Sequence, residues 1–298
     1  MQALAALKPR LVVTFSILQD IVGNVAGEEF EVESVVPLGT DPHVYEIKPG
    51  DIKKIIKPGD KNAAAAVFLI GLGFEGSLEN IIEHSKFSGL VVKVTGSSSE
   101  KENKVKVRLL TKGKKPVADP HVWGSVKNVM VMVRNIRDAL VRIDPKKAKI
   151  YQENAEKYMA KLQQMHKKII RTLSKIPEEK RKVVTTHDAF YYYGEEYNVK
   201  FLAPIGISTE SEPSARDISK IIDLVKKNGI RAIFFEKIAN MKLIKQIAEE
   251  TGVKINPEQD VLYADSLSKQ NGPAATYIKM MWHNTLLIAK KLAPGTGF

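Results

Sequence analysis

The sequence predicts an α/β fold of two lobes, each a parallel sheet flanked by helices, joined by one long rigid helix. Strand-like and amphipathic helix-like segments alternate in both halves of the chain, which is typical of parallel, helix-covered sheets. The length of 298 residues suits two hydrophobic cores better than one. A long helical pattern lies between the halves. We therefore predict an N-terminal lobe at 1–143, a connecting helix at 144–176 and a C-terminal lobe at 177–298.

The connecting helix is predicted from a single apolar stripe. Its members are Tyr151, Ala155, Tyr158, Leu162, Met165, Ile169 and Leu173. They recur three or four positions apart with charged and polar residues between them, which indicates one buried helix face. Asp144-Pro145 favours a helix start and Pro177 a stop. Such a helix would reach roughly 45 Å, longer than a small domain is wide. We expect this helix to pack against both lobes, and we expect the functional site to lie in the cleft between them.

The remaining elements follow from local periodicity. In the first half we predict strands at 11–15, 30–36, 63–70 and 90–94, a hairpin through 105–110, and helices at 18–27, 78–84 and 126–143, with another from Pro49. In the second half we predict strands at 182–186, 201–203, 232–236 and 261–263, and helices at 188–196, 241–251 and 273–292, with another capped by Ser214. Ligands of open α/β sheets bind at the carboxyl ends of strands. Residues just after the predicted strands are therefore the candidates for function.

Composition excludes several classes of protein. The chain has no cysteine, so disulfides, thiolate metal sites and cysteine nucleophiles are excluded. Its net charge of +12 raises nucleic acid or an anionic membrane surface as partners. The lysines are scattered, however, and aromatic residues do not interleave with them, so we predict no nucleic-acid partner. No window of about 18 apolar residues predicts a membrane-spanning helix.

The tetrapeptide Asp-Pro-His-Val occurs twice. Asp41-Pro42-His43-Val44 follows the second predicted strand, and Asp119-Pro120-His121-Val122 repeats it letter for letter. Proline stiffens the turn and restricts the residue before it. No longer repeat surrounds the two copies. We interpret them as two copies of the same turn, each of which orients a histidine side chain.

A third histidine, His187, stands directly after the strand predicted at 182–186. Three imidazoles and one carboxylate suit a first-row divalent ion, and this chain offers no softer ligand. Asp265 and Glu236, both at predicted strand ends, are the candidates for the fourth ligand. Asp265 is sterically the easier one, and Glu236 can instead support a ligand from behind. The other histidines are His84, His166 and His283, which lie in amphipathic helical patterns, and we interpret them as structural.

Several separated motifs together resemble the zinc/manganese solute-binding proteins of bacterial ABC importers. They are the loop from Pro37 to Glu46 with Pro49 and Asp51, Asp119-Pro120-His121-Val122-Trp123, Thr186-His187-Asp188-Ala189-Phe190-Tyr191-Tyr192, Glu212-Pro213-Ser214, Phe235-Glu236 and Asp265-Ser266-Leu267. The matches occur in order along nearly the whole chain. The resemblance implies two lobes joined by one long helix and a metal ion held in the interlobe cleft.

The resemblance also implies the site and its partners. The ligands would be His43, His121, His187 and Asp265, and the residues supporting them Glu75, Glu212 and Glu236. The cargo would be delivered to an ABC permease at the membrane by a monomeric receptor in the periplasm, or by one anchored through a lipid. The absence of cysteine favours the soluble periplasmic form.

Two departures from the family pattern leave the metal open. Zinc-dedicated members often carry a histidine-rich loop before the second ligand, and residues 111–118 contain no histidine. Manganese members often place Glu where this chain has His187. The expected cargo is therefore Zn²⁺ or Mn²⁺.

Two other functions remain as alternatives. One is a mononuclear zinc hydrolase with three histidine ligands and a metal-bound water, which needs an open coordination position and a general base. Against it, no His-Glu-x-x-His helix is present, and Asp265 would close the metal's shell. The other is a role in cell adhesion alongside transport, which members of this family sometimes show.

Overall fold

The structure is a computed structural model that describes residues 8–56, 63–85, 87–96, 104–112, 115–238 and 241–297. Its segments form two compact units. The first compact unit comprises Met1–Pro37, Glu46–Lys106 and Met130–Ala160, and the second comprises Leu38–Tyr45, Val107–Val129 and Lys161–Phe298. Each unit is thus assembled from segments far apart in sequence. The lobe boundaries at 1–143, 144–176 and 177–298 stay a prediction.

The first unit contains a four-stranded parallel sheet. Its strands, in spatial order, are β2 (Glu31–Ser34), β1 (Arg10–Val13), β3 (Ala64–Leu69) and β4 (Leu90–Lys93). Helices α1 (Ser16–Ala26), α2 (Pro49–Ile55) and α3 (Gly76–Glu83) follow β1, β2 and β3. The central strands are apolar and buried, as expected for a sheet covered by helices. The parallel sheet predicted for the first half of the chain is confirmed.

An antiparallel hairpin provides the first two strands of the second unit. It consists of β5 (Leu109–Lys112) and β6 (Lys115–Ala118), with Leu109 opposite Ala118. The hairpin predicted at 105–110 was therefore placed too early, because the alternation at Val105 and Val107 belongs to the segment that leads into β5. The first residue after β6, Asp119, donates its N–H to the carbonyl of Arg108 at 2.9 Å. This pairing places the second Asp-Pro-His turn at the base of the hairpin.

The second unit carries two small parallel sheets. One has the order β8 (Lys200–Leu202), β7 (Lys182–Val184), β9 (Ala232–Ile233), and the other pairs β10 (Phe235–Glu236) with β11 (Val261–Leu262). Helices α6 (Tyr191–Tyr197), α7 (Ala215–Asn228), α8 (Met241–Thr251) and α9 (Tyr277–Leu292) complete it. The single strand predicted at 232–236 is wrong. Phe234 donates its N–H to Val184 whereas Phe235 donates to Asp260, so the chain changes sheets between them.

Two helices contribute residues to both units. They are α4 (Val126–Ile143) and α5 (Ala148–Leu173), and α5 is the predicted long helix. Its 26 residues span about 39 Å. All seven residues of the predicted stripe are at most 5% exposed. Pro145–Lys147 forms a 3-10 turn before the helix, so the Asp144-Pro145 signal marks that turn. No helix among the described residues is long and apolar enough to cross a membrane.

A core position on α5 tests the contribution of the stripe to stability. Leu162 is fully buried, so we expect Leu162→Ala to lower the free energy of unfolding of the metal-free protein by about 2–5 kcal/mol. The exposed neighbouring variant Lys161→Ala should change it by less than about 0.5 kcal/mol. Denaturant titration followed by circular dichroism measures both. Equal, small effects of the two variants would contradict a stripe that packs into the core.

Candidate metal centre

Four side chains of the second unit converge on one point. Each of His43, His121, His187 and Asp265 offers one ligand atom, and these atoms all lie within 4.8 Å of one another. The Nε2 atoms of His43 and His121 are 3.1 Å apart, and Nε2 of His187 lies 3.0 Å from Oδ2 of Asp265. The structure therefore brings together the same four residues that the sequence analysis selected.

The spacing of these atoms suits a single ion. Oδ2 of Asp265 lies 3.7 Å from Nε2 of His43, and Oδ1 lies 3.6 Å from Nε2 of His121. Bonds of about 2.0–2.2 Å to a tetrahedral zinc ion would place neighbouring ligand atoms about 3.3–3.6 Å apart. The four contacts, from 3.0 to 3.7 Å, lie on both sides of this range, so one ion can reach all four side chains after small side-chain adjustments.

The Asp265 carboxylate is buried among imidazoles. The residue is 1% exposed, and its Oδ2 lies 3.0 Å from Nε2 of His187. Burying an ionised carboxylate costs free energy unless a cation or several donors compensate. The three imidazoles that face it are buried or nearly so. A cation at the centre of the carboxylate and the three imidazoles would compensate this cost.

The first Asp-Pro-His copy aims His43 through its aspartate. Oδ1 of Asp41 accepts a hydrogen bond from the His43 N–H at 2.9 Å, and Oδ2 accepts one from the Thr209 hydroxyl at 2.7 Å. The aspartate thus closes a local turn over the proline, as Asx turns do. Gly39 in the same loop donates its N–H to the Ser266 hydroxyl at 2.8 Å. That bond ties the His43 loop to the residue after Asp265.

The second copy repeats the turn and adds a contact to the imidazole. Oδ1 of Asp119 accepts from the His121 N–H at 3.1 Å and lies 2.8 Å from Nδ1 of the same ring. A carboxylate on Nδ1 holds the proton there and leaves the Nε2 lone pair for a metal. The Trp123 indole donates to the carbonyl of Ala264 at 2.8 Å and so ties this loop to Asp265. The sequence pattern predicts only the turn for both aspartates. Asp119 also contacts the ring of His121, and its position two residues before that histidine is the available signal for the contact.

Glu236 holds His187 from behind. Its Oε1 accepts hydrogen bonds from the N–H groups of Thr186 at 2.7 Å and His187 at 2.9 Å, while Oε2 contacts Nδ1 of His187. Its carboxylate is therefore directed at the far side of the ring, and Asp265 faces Nε2. His187, Glu236 and Asp265 all lie at or just beyond the carboxyl ends of parallel strands, where ligands of α/β sheets bind.

The other sequence candidates lie elsewhere. Glu75 is buried in the first unit, where it accepts hydrogen bonds from the Thr14 hydroxyl and the N–H groups of Ile70 and Gly71. Burial raises the pKa of Glu75 to about 7. Glu212 is exposed in the loop before α7. The expectation that Glu75 and Glu212 support the metal ligands stays a prediction.

The remaining histidines are outside the cluster of four. His84 is exposed at the end of α3, directly after its last residue. His166 lies against Glu196 and the Tyr197 hydroxyl, and His283 contacts the carbonyl of Val261.

The charges of the cluster depend strongly on one another. Burial lowers the pKa of His43 to about 3, which keeps this imidazole neutral. Burial acts in the same direction on His187, but Glu236 and Asp265 outweigh it and raise the pKa of His187 well above its ordinary value. Burial would raise the pKa of Asp265, but His187 and His121 hold it below its usual range. The cluster therefore keeps an ionised carboxylate ready for a cation, together with a His187 proton that a metal would displace.

Comparison with known proteins agrees with this geometry. Residues 11–291 match the family ZnuA, described as "Zinc-uptake complex component A periplasmic". The chain belongs to this family. It is 34% identical over 275 residues to the manganese-binding lipoprotein MntA of Halalkalibacterium halodurans, covering 92% of this chain and 85% of MntA. It is 32% identical over 285 residues to the iron-binding protein YfeA of Yersinia pestis, covering 96% and 86%.

The fold of this family has been seen in solved structures. The periplasmic zinc-binding protein TroA from Treponema pallidum superposes with a TM-score of 0.84 at 26% identity, covering 96% of this chain and 99% of TroA. The predicted fold class, with parallel helix-flanked sheets and a long helix, is confirmed by this likeness and by the described elements.

The contact between Asp119 and His121 generates a prediction. Asp119→Asn keeps the shape of the turn but replaces the carboxylate that orients the ring, so we expect metal affinity to fall roughly 10–100-fold. Asp223→Asn, on the exposed face of α7, is the control and should bind as the parent does. Competition with a chromophoric chelator measures both. Parent-like affinity in Asp119→Asn would show that this carboxylate does not support the ligand.

Proposed function

We propose that this protein captures one divalent transition metal ion, Zn²⁺ or Mn²⁺, with His43, His121, His187 and Asp265, and delivers it to an ABC-type membrane permease for import. The observation that carries the proposal is the convergence of three Nε2 atoms on a buried carboxylate. Membership of the zinc-uptake component family supplies the transport context.

The protein is a receptor and not an enzyme, because its family consists of metal-binding components of uptake systems. The alternative of a zinc hydrolase needs a coordination position for water, whereas structural and storage sites surround a tetrahedral ion with protein ligands. Here four side chains surround one point. The chemistry that this arrangement supports is capture and release.

The donor set permits either metal. Three imidazoles with a single carboxylate oxygen make a tetrahedral shell suited to zinc, and the affinity series places zinc above manganese. Both Asp265 oxygens face imidazoles of the cluster, so the carboxylate can also supply two oxygens and give the higher coordination that manganese accepts. Relatives named for manganese, iron and zinc fit a site whose cargo depends on supply and geometry.

The site of action is outside the cytoplasm, since the family is described as periplasmic and several relatives are lipoproteins of metal importers. We propose the soluble periplasmic form, a monomer without a nucleic-acid partner. Fractionation of the native host tests the location, and recovery in the membrane pellet would favour a lipid anchor. A role in adhesion stays a prediction.

Removal of one imidazole tests the proposed site. Calorimetric titration of the metal-stripped protein with Zn²⁺ and, separately, Mn²⁺ should show one ion per chain. His187→Ala should bind at least roughly 100-fold more weakly, because an inner ligand is lost. His84→Ala, which removes an exposed histidine outside the cluster, is the matched control and should not differ from the parent. Absence of saturable binding in the parent would overturn the receptor function.

The charge of His187 predicts the pH dependence of capture. Only the neutral imidazole binds a metal, and the pKa of His187 is raised, so a proton competes with the ion above pH 6.5 as well as below it. We expect affinity to fall steadily from pH 8 to pH 6, with proton release on binding. Calorimetry in buffers of different ionisation enthalpy measures both. Affinity that is constant over this range, with a buffer-independent enthalpy, would contradict the expectation.

A further inference from the structure

One guanidinium group joins the chain segments of two metal-binding histidines. Nη1 of Arg108 donates to Oδ2 of Asp119 at 3.3 Å and to Oδ2 of Asp188 at 2.8 Å. Asp119 holds the His121 ring, and Asp188 is the residue directly after His187. Arg108 therefore spans two loops whose histidines must stand a fixed distance apart to share an ion.

The backbone of Arg108 is fixed in the same place. Its N–H donates to the Tyr192 hydroxyl at 2.9 Å, and that hydroxyl donates to the carbonyl of Asp119 at 2.7 Å. The Asp119 N–H returns a bond to the carbonyl of Arg108 at 2.9 Å. The Tyr191 ring lies beneath the guanidinium, with its centroid 4.0 Å from the Cζ atom. Stacking on the Tyr191 ring exploits the planar guanidinium group, which lysine lacks.

The Arg108 side chain contacts the carboxylate of Asp119, which is already restrained by burial and by hydrogen bonds. Asp119 is fully buried, and one oxygen holds both the N–H and the Nδ1 of His121. The other oxygen faces Arg108. A buried carboxylate without this cation would have to relax toward other donors. Such a shift would carry the His121 ring with it.

We propose that Arg108 is a positioning residue for metal capture, which sets the separation of His121 and His187 and thereby slows release of the bound ion. This inference rests on the proposed function. It assigns a role that neither the four ligands nor their direct supports perform, because Arg108 acts on both loops at once.

The test is the rate of metal release from the full-length protein. Arg108→Gln removes the charge and the bridge, and Arg108→Lys keeps the charge but loses the planar group that stacks on Tyr191. Both variants, loaded with Zn²⁺ and mixed with excess chelator in a stopped-flow instrument, should release the ion at least roughly tenfold faster than the parent. Arg137→Gln removes another arginine–aspartate pair, with Asp138, and should release at the parental rate.

A second readout separates positioning from a merely structural role. The visible absorption of bound Co²⁺ reports coordination geometry, and we expect its bands to shift in both Arg108 variants. A lower melting temperature of the metal-free variants with an unchanged Co²⁺ spectrum and parental release would overturn the proposal. Parental release in Arg108→Lys alone would also overturn it, because charge would then suffice.

A double-variant comparison tests the bridge itself. If Arg108 works through Asp188, then Arg108→Gln combined with Asp188→Asn should release the ion no faster than the more impaired single variant. Multiplicative effects of the two changes would contradict the bridge. If the parent itself binds no metal, the proposed function fails, whereas parental binding with unaffected Arg108 variants removes only this inference.

Discussion

The candidate metal centre depends on a carboxylate that is buried among three imidazoles. Asp265 stays ionised because these imidazoles hold its pKa low, although burial alone would raise that pKa. A divalent cation resolves this conflict, since it satisfies the carboxylate and the imidazole lone pairs together. The fold supports the arrangement from behind, with Asp119 on one ring and Glu236 on another. These contacts orient the His121 and His187 rings, which would lower the cost of ordering them when an ion binds.

The fold class followed from the sequence because its signals are local and periodic. The stripe on α5 recurs from Tyr151 to Leu173, and the central strands of the first sheet are short apolar runs between turn signals. The split at 232–236 could not be predicted in this way. The first four residues there suit a buried strand, and the change of sheet appears only in the partners of Phe234 and Phe235, namely Val184 and Asp260. Partner choice is a tertiary property that an apolar run does not encode.

The four residues that converge could be selected from the sequence, whereas most of the contacts around them could not. The repeated Asp-Pro-His turn and a histidine at a strand end are visible in the sequence, and family motifs favoured Asp265 over Glu236. The contacts of Arg108 and Tyr192 join segments that no local pattern connects. Tyrosines 191–193 suggested packing, and their hydroxyl and ring contacts emerge only when the loops meet.

The most direct test of the metal centre is X-ray absorption spectroscopy of the protein loaded with one equivalent of Zn²⁺. We predict a first shell of nitrogen and oxygen atoms at about 2.0–2.2 Å, with the outer-shell scattering of three imidazoles. Asp265→Ala should lose an oxygen contribution and keep that imidazole signature. A first shell made mainly of water oxygens, without scattering from three imidazoles, would contradict it.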